Sequence, residues 1–347
     1  MDHKLKLMVV DDSPLFRTWL IRSLSADDRF QIVGYAVNAL DAQEKIPLLQ
    51  PDMLTLDIEM PGMSGIDFLK QLLPVHPIPV ILVSSLNLRV FDALEAGAVD
   101  FVRKPDEANG LSKEIFLSML RSKLLVAAAS HVHLPSVPAS PQAAKKRIVS
   151  PLTAAASQET VIAIGASTGG TEAILEVVKN FPENTPGVVI TQHMPAGFTA
   201  MYAERLNRIC KMEVREAKNG DRIRKGLMLL APGGLQMRVV PLGNSYAVSV
   251  QEGEKVNGHR PSVDVLFDSV ALHVREHAIG VLLTGMGADG AAGLLRMRKN
   301  GAYTIGQDKN SCVVYGMPME AHKIGAVCQQ CPLNTIGQTV LARVSLR

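Results

Sequence analysis

The feature that most constrains this chain is a repeated alternation of short apolar runs with helix-patterned segments, interrupted once. In the first half, strands fit Leu5–Val10, Phe30–Ala36, Met53–Leu56, Pro79–Val83 and Ala98–Val102, with helices in the gaps. Runs this short and apolar, separated by helices, predict strands buried in a parallel sheet. Ser13-Pro14 reads as the N-cap and first residue of a helix over Pro14–Leu24. Phe16, Trp19, Leu20 and Leu24 fall at helical spacing there, so the single Trp of the chain reads as core. The pattern restarts with strands at Val161–Ala166, Gly187–Gln192, Ala278–Thr284 and Ala302–Gly306. Helices fit Thr171–Asn180, Phe198–Ile209, Val263–Val274 and Ala291–Lys299. An irregular β stretch spans 213–251, with turn signals at Asn219-Gly220, Gly233-Gly234 and Gly243-Asn244. The two halves show no internal repeat.

The interruption has its own composition. Residues 131–159 hold Pro135, Pro138, Pro141 and Pro151 among Ala, Ser, Val and Gln, with no Phe, Tyr or Trp. Such a stretch buries little and its prolines block regular ladders, so it reads as an interdomain linker. The triplet Lys145-Lys146-Arg147 within it reads as a solvated charge run. A chain of 347 residues holds roughly two domains of ~150 residues. The division expected is 1–125, a linker over 126–158, and 159–347. The fold class expected is α/β: a five-stranded parallel sheet, then a doubly wound, mainly parallel α/β domain with a β-hairpin region.

Composition excludes several functions. The net charge of +3 is too small for a nucleic-acid-binding body, and aromatics at 4% leave no stacking platform for single strands. Four cysteines (Cys210, Cys312, Cys328, Cys331) are too few for a disulfide scaffold. Cys328 and Cys331 form one C-x-x-C without the second pair a structural zinc site needs, and read as two reduced thiols at a strand end. Met1-Asp2-His3-Lys4 opens no apolar leader, and there is no run of ~18 apolar residues. The expectation is a cytoplasmic protein with no membrane insertion.

In a parallel α/β sheet, chemistry gathers beyond the carboxyl ends of the strands. In the first half those ends carry Asp11-Asp12, Asp57, Ser84-Ser85 and Lys104-Pro105. Any one strand-ending Asp is commonly a turn or capping residue; this combination at successive ends is hard to obtain by accident. Convergent carboxylates suit a hard cation such as Mg²⁺, and a carboxylate can accept a phosphoryl group. Lys104 offers a compact charge and Ser84 a hydroxyl to that group's oxygens.

These residues carry a resemblance. "VVDDSP", "LDIEMPGMSG", "VSS" and "AGAVDFVRKP" resemble the receiver domain of bacterial response regulators over about residues 5–123. The resemblance implies a flavodoxin-like fold with Asp57 as phospho-acceptor. It implies a Mg²⁺ site of Asp11, Asp12, Asp57 and the carbonyl of Glu59, with Ser84, Lys104 and Phe101 sensing the phosphoryl group. Ser64 departs from the Asp or Asn usual in its turn, which bears on the turn and not on the acceptor.

In the second half, "VIAIGASTGG" places Ser167 after a strand, "VVITQHMPAGF" places His193 after another, and "VLLTGMGADGAAG" places Asp289 in a glycine-rich loop. A serine hydroxyl needs a base, His193 is of the right type, and Asp289 can orient it. Gly285-Met286-Gly287 lets backbone amides approach an oxyanion. "GASTGG" could instead cradle a phosphate at a helix start, yet it matches neither G-x-G-x-x-G nor G-x-x-x-x-G-K-[ST]. Nor is it a G-x-S-x-G elbow, and the order Ser, His, Asp differs from that of α/β-hydrolases. His259, His273, His277 and His322 are rival bases; Asp264, Asp268 and Asp308 are rival acids.

A second resemblance bears on that choice. "IGASTGG", "QHMPAGFT", "APGG", "RPSVDVLFDSVA", "LLTGMGADGAAGL" and "DKNSCVVYGMPMEA" resemble the catalytic domain of the protein-glutamate methylesterases of bacterial chemotaxis, over about residues 159–345. It implies Ser167 as nucleophile, His193 as base, Asp289 as orienting acid, and oxyanion donors at the backbone of Met286 and Thr168, with no metal or cofactor at that site. Gln236 departs from the His common in the family and flanks the site. The implied substrates are methylated chemoreceptor helices, with glutamine deamidation alongside, and the implied phosphodonor is a chemotaxis histidine kinase. The linker would let the unphosphorylated receiver pack over the Ser167 edge and leave it once Asp57 is phosphorylated. A binding module in place of an esterase, or an esterase of this fold in another receptor pathway, are the alternatives.

Overall fold

A computed structural model describes residues 4–85, 89–106, 111–128 and 160–346. The chain forms two compact units, Met1–Pro141 and Gln142–Arg347.

The first unit alternates β1 (Leu5–Val10), α1 (Pro14–Ser25), β2 (Phe30–Ala36), α2 (Ala39–Leu49), β3 (Met53–Leu56), α3 (Gly65–Leu72), β4 (Val80–Ser84), α4 (Arg89–Glu95), β5 (Asp100–Arg103) and α5 (Lys113–Ala128). Its strands pair in parallel in the order β2-β1-β3-β4-β5. Ser13 caps α1, its Oγ accepting from Phe16 N with Pro14 in the first turn. Ser64 caps α3 by accepting from Asp67 N, so the departure at this turn keeps a capping side chain. Trp19 is half-buried rather than fully core, its ring lying between Phe16 and Phe116 at centroid distances of 5.4 and 5.9 Å. β5 starts two residues later than the apolar pattern suggests, after Gly97 turns the chain at φ 109°. Of the linker expected over 126–158, residues 126–128 complete α5 and the rest lie outside the described residues.

The second unit runs β6 (Val161–Ala166), α6 (Gly170–Val178), β7 (Gly187–Gln192), α7 (Phe198–Ile209), β8 (Glu213–Glu216), β9 (Arg222–Ile223), β10 (Leu227–Leu230), β11 (Gln236–Leu242), β12 (Ser245–Gln251), α8 (Val263–His273), β13 (Ala278–Leu282), α9 (Ala291–Lys299), β14 (Tyr303–Gln307), α10 (Met317–Lys323), β15 (Gln329–Cys331) and α11 (Leu333–Ser345). Seven strands form a parallel sheet in the order β15-β14-β13-β6-β7-β10-β8. The irregular β stretch resolves into β8 and β10, which join this sheet, and a separate sheet β11-β12-β9. Its hairpin β11–β12 is antiparallel. Among the described residues no helix is long and apolar enough to cross a membrane.

Both sheets reverse direction once. The first goes from β1 to β2 on one side and to β3 on the other; the second goes from β6 to β7 on one side and later to β13 on the other. Beyond the carboxyl ends at such a point the connections diverge and leave a crevice.

The second core packs α8 and the β11–β12 hairpin on one face of the sheet through Val263, Phe267, Met237, Val239 and Val248. Helix α8 comes closest at Gly165 of β6, where a Cβ would lie 2.2 Å from Val263 Cγ1. Gly165→Ala is therefore expected to cost about 1–3 kcal/mol through overpacking. Urea unfolding of the full chain checks this; an unchanged midpoint contradicts the close packing.

Candidate functional site

In the first unit, the crevice between β1 and β3 collects Asp11 and Asp12, just past Val10, and Asp57, just past Leu56. Carboxylate oxygens of these three lie within 4.8 Å of one another. Lys104 Nζ lies 2.6 Å from Asp57 Oδ2 and 3.0 Å from Asp11 Oδ2. The first contact is a hydrogen bond; the second is an ion pair outside hydrogen-bond geometry, so Asp11 Oδ2 is buried with no hydrogen-bond partner. Burial pushes the Asp57 carboxyl above its ordinary value against the pull of Lys104. Burial works against the Lys104 charge, yet Asp57 and Asp11 hold its pKa above the ordinary value.

Ser84 Oγ, at the end of β4, is also buried without a partner, as is Thr55 Oγ1 on β3, which sequence patterning did not single out. Glu59 N donates to Asp57 Oδ1 at 3.1 Å. Phe101 is buried on β5, with Lys123 Nζ 5.4 Å from its ring centre. Three carboxylates against one ammonium, with an orphaned oxygen on Asp11, form a donor set suited to a hard oxygen-seeking cation.

In the second unit, Ser167, His193 and Asp289 follow β6, β7 and β13, three adjacent strands around the reversal point. His193 N donates to Ala166 O at 3.1 Å, and Ser167 N to Thr284 O at 3.0 Å. The His193 and Asp289 side chains join at 2.7 Å through Nε2 and Oδ2, both buried. His193 Nδ1 is buried with no hydrogen-bond partner. Among the described residues, Ser167 Oγ makes no hydrogen bond, so the serine shares the rim with the pair without being bonded to it.

Asp289 is the most heavily satisfied group here. Besides His193, it accepts from Asn257 Nδ2 at 2.8 Å, Ser262 Oγ at 2.8 Å, Val263 N at 2.7 Å and Asp264 N at 3.2 Å. The last two are first-turn amides of α8, where the helix dipole favours an anion. Burial opposes ionisation, but the bonds from His193, Asn257 and Ser262 outweigh it and hold the carboxyl well below the usual carboxylate range. Asn257 reaches this place from a two-residue Asn-Gly turn, φ 53° and 81°, closed by the Val256–His259 bridge. The same amide nitrogen donates to Asp264 Oδ2 at 2.8 Å.

The rivals sort by position. His259 belongs to the site: its ring stacks on His193 at 3.7 Å between centroids and 9° between planes. His273 ends α8 at the end opposite Ser262, His277 precedes β13, and His322 lies in α10. Asp268 pairs with Arg296, and Asp308 accepts from Ser311.

Met286 is 49% exposed on its loop. That loop is pinned by Gly316 N and Met317 N, both donating to Gly285 O, and by Gly285 N donating to Val314 O. Gly285 admits no side chain: a Cβ there would lie 2.7 Å from Ser167 Cβ and 2.3 Å from Met317 Sδ. Thr168 O accepts from Thr284 Oγ1 at 3.0 Å. Gln192, also missed by sequence reasoning, donates its amide to Ser167 O at 2.8 Å and His193 O at 3.3 Å. Gln192 ends β7 and carries no periodic signal of this contact; only its place in the quoted motif next to His193 hints at it.

Comparison with known proteins decides the family. A family model described as CheB methylesterase matches residues 162–340, and one described as response regulator receiver domain matches residues 7–116. The chain belongs to the CheB methylesterase family. It is 52% identical over 338 residues to a protein-glutamate methylesterase/protein-glutamine glutaminase of Syntrophomonas wolfei, covering 97% of each chain. It is 43% identical to the protein of that name in Salmonella typhimurium, covering 99% of this chain and 97% of the other. The crystal structure of the Thermotoga maritima CheB methylesterase catalytic domain aligns with a TM-score of 0.52 and 32% identity, over 53% of this chain and 98% of that one. The family's two domain types thus fall on the two parallel sheets.

Because the folded pKa of Asp289 is depressed below the ~3.9 of an unfolded aspartate, its stabilisation is complete above about pH 4 and drains away as pH falls toward the folded value. The stability difference between wild type and Asp289→Asn, from urea unfolding, is expected to narrow between about pH 4 and pH 2. A difference that widens over this range contradicts an ionised Asp289.

Proposed function

We propose that this chain hydrolyses glutamate γ-methyl esters on chemoreceptor helices, and deamidates glutamines there, with Ser167 as nucleophile, His193 as base and Asp289 as orienting acid. The family and the activity in its relatives' names support the reaction class. The observation that carries the residue roles is the buried 2.7 Å His193–Asp289 pair, on strand ends flanking that of Ser167.

An ionised Asp289 accepts a hydrogen bond from Nε2–H, keeping that proton on Nε2 and the lone pair of the neutral imidazole on Nδ1. That nitrogen is buried and partnerless, as a base awaiting a proton is expected to be. Ser167 turns its hydroxyl to Nδ1 as substrate enters, and Oγ attacks the ester carbonyl while the proton passes to His193. The oxyanion is met by the backbone amides of Met286 and Thr168. The C–O bond to the methoxy group breaks, and methanol leaves with the proton returned by His193. Water then attacks the acyl-serine, with His193 again taking the proton, and glutamate and free Ser167 result. With a glutamine substrate the leaving group is ammonia and the acyl-enzyme is the same. Each turnover restores a negative charge on the receptor helix, which shifts the balance of receptor states.

Asp57 is the proposed phosphoryl acceptor, with a chemotaxis histidine kinase as donor, and its phosphorylation raises the esterase activity. Asp11, Asp12, Asp57 and the carbonyl of Glu59 would hold Mg²⁺, which when bound neutralises charge on the phosphoryl oxygens. Lys104 and the unsatisfied Ser84 hydroxyl take up the remaining phosphoryl oxygens, and the shift of Ser84 and Phe101 transmits the change.

Ser167→Ala is expected to abolish methanol release from methylated receptors while leaving phosphorylation of the chain intact. Retained esterase activity removes Ser167 from the nucleophile role. Asp57→Ala is expected to lose stimulation by a small phosphodonor with Mg²⁺ and to keep basal activity. Equal stimulation of variant and wild type would contradict the acceptor assignment.

A further inference from the structure

Among the described residues, every hydrogen bond to the Asp289 carboxylate other than that of His193 comes from residues 257–264. The ring stacked on His193 comes from the same stretch. It leaves the end of β12 at Gln251 and enters α8 at Val263 without joining a sheet. Its internal ties are the Val256–His259 bridge and a bond from Arg260 Nη1 to Gly253 O at 2.8 Å. From outside, Gly234 N donates to Arg260 O at 3.1 Å, and further anchors matter because Asn257 and Ser262 work only within hydrogen-bond reach of Asp289.

Gln236, the first residue of β11, supplies them. Its side chain is 1% exposed and spends its amide on three backbone groups spread along the segment. Oε1 accepts from Ser262 N at 2.9 Å. Nε2 donates to Glu254 O at 2.9 Å and to His259 O at 3.3 Å. Gly253 crosses its stem, where a Cβ would come within 3.3 Å of Gln236 Cγ. β11 is itself tied to α8 by Val239 N donating to Ser269 Oγ at 2.8 Å.

We propose that Gln236 is a positioning residue for the esterase reaction: its buried amide clamps the 254–262 segment so that Asn257 and Ser262 hold Asp289 and the His259 ring stays stacked on His193. This rests on the Ser167-His193-Asp289 reading. Gln236 touches none of the reacting atoms, so its effect falls on the rate of the chemical step and not on substrate binding. An imidazole offers one acceptor and one donor, enough for Ser262 N and one carbonyl, whereas leucine offers neither.

The test is methanol release from methylated receptors by the full chain with a small phosphodonor and Mg²⁺, comparing wild type, Gln236→Leu, Gln236→His and Gln236→Asn. Active sites are counted by end-point labelling of Ser167 with a fluorophosphonate. Gln236→Leu is expected to lose about 10- to 100-fold in kcat per labelled site with KM within about twofold, and to label to completion but more slowly. Gln236→His is expected to stay within about threefold of wild type. Should Gln236→Leu not fold, Gln236→Asn, one methylene too short to reach all three groups, is expected to show the same loss. Wild-type kcat per labelled site in the folded variants, or equal losses in the leucine and histidine variants, overturns the proposal. Ser167→Ala, run alongside, separates the two readings: its full activity sinks the triad, whereas its inactivity beside unaffected Gln236 variants sinks the clamp alone.

Discussion

A parallel sheet can be wound in both directions from its first strand only by reversing once, and both halves of this chain gather their candidate site residues at that reversal. In the first, the gap between β1 and β3 gathers Asp11, Asp12 and Asp57; in the second, the strands around β6 present Ser167, His193 and Asp289. Connections that part company leave strand-end side chains facing a crevice instead of a packed loop. Both sites inherit their precision from strands buried on both faces, such as β3 and β6, which have no freedom to slip.

The second crevice adds a demand the first does not make. A carboxylate beside an imidazole orients it only if it stays ionised, and burial opposes that. The fold answers by starting α8 against Asp289, so that first-turn helix amides supplement Ser262 and Asn257. This requires the helix to approach β6 closely, which Gly165 allows by having no side chain to oppose Val263. A core contact and the charge on Asp289 thus meet at one residue, Val263, in the first turn of α8. Asp264, next along, has its pKa raised by burial and by Asp289 itself, despite its bonds from Gly293 N and Asn257.

The strands were legible in the sequence because they are apolar on both faces and bounded by turn residues. Misplaced ends trace to local backbone: β5 waits for the left-handed Gly97 to turn the chain, and β13 stops at Leu282, before Thr284 turns its hydroxyl to Thr168 O and its amide to Gln307. Ser167, His193 and Asp289 were legible because strand ends are where such residues matter. The residues that support them were not. Gln192 at the end of β7, Asn257 in its turn and Ser262 at the cap of α8 are ordinary polar side chains by type and spacing, and their roles exist only once the chain folds around the crevice. Gln236 stood out as a departure from its family, but nothing in the sequence shows that it reaches Glu254, His259 and Ser262 together.

The unsatisfied atoms at the two crevices are informative in the same way. Buried polar atoms in a folded chain nearly always have partners, so those without them mark strain or a missing ligand. In the first crevice the atoms without a hydrogen bond are Asp11 Oδ2, which faces Lys104 Nζ at 3.0 Å as an ion pair, and the hydroxyls Ser84 Oγ and Thr55 Oγ1. In the second, Asp289 has no orphan, while His193 Nδ1, Gln192 Oε1 and Thr191 Oγ1 at the end of β7 have no hydrogen-bond partner. The first pocket leaves a carboxylate oxygen and two hydroxyls without hydrogen bonds. The second holds its carboxylate fully bonded and leaves His193 Nδ1 and the neighbouring Gln192 Oε1 open.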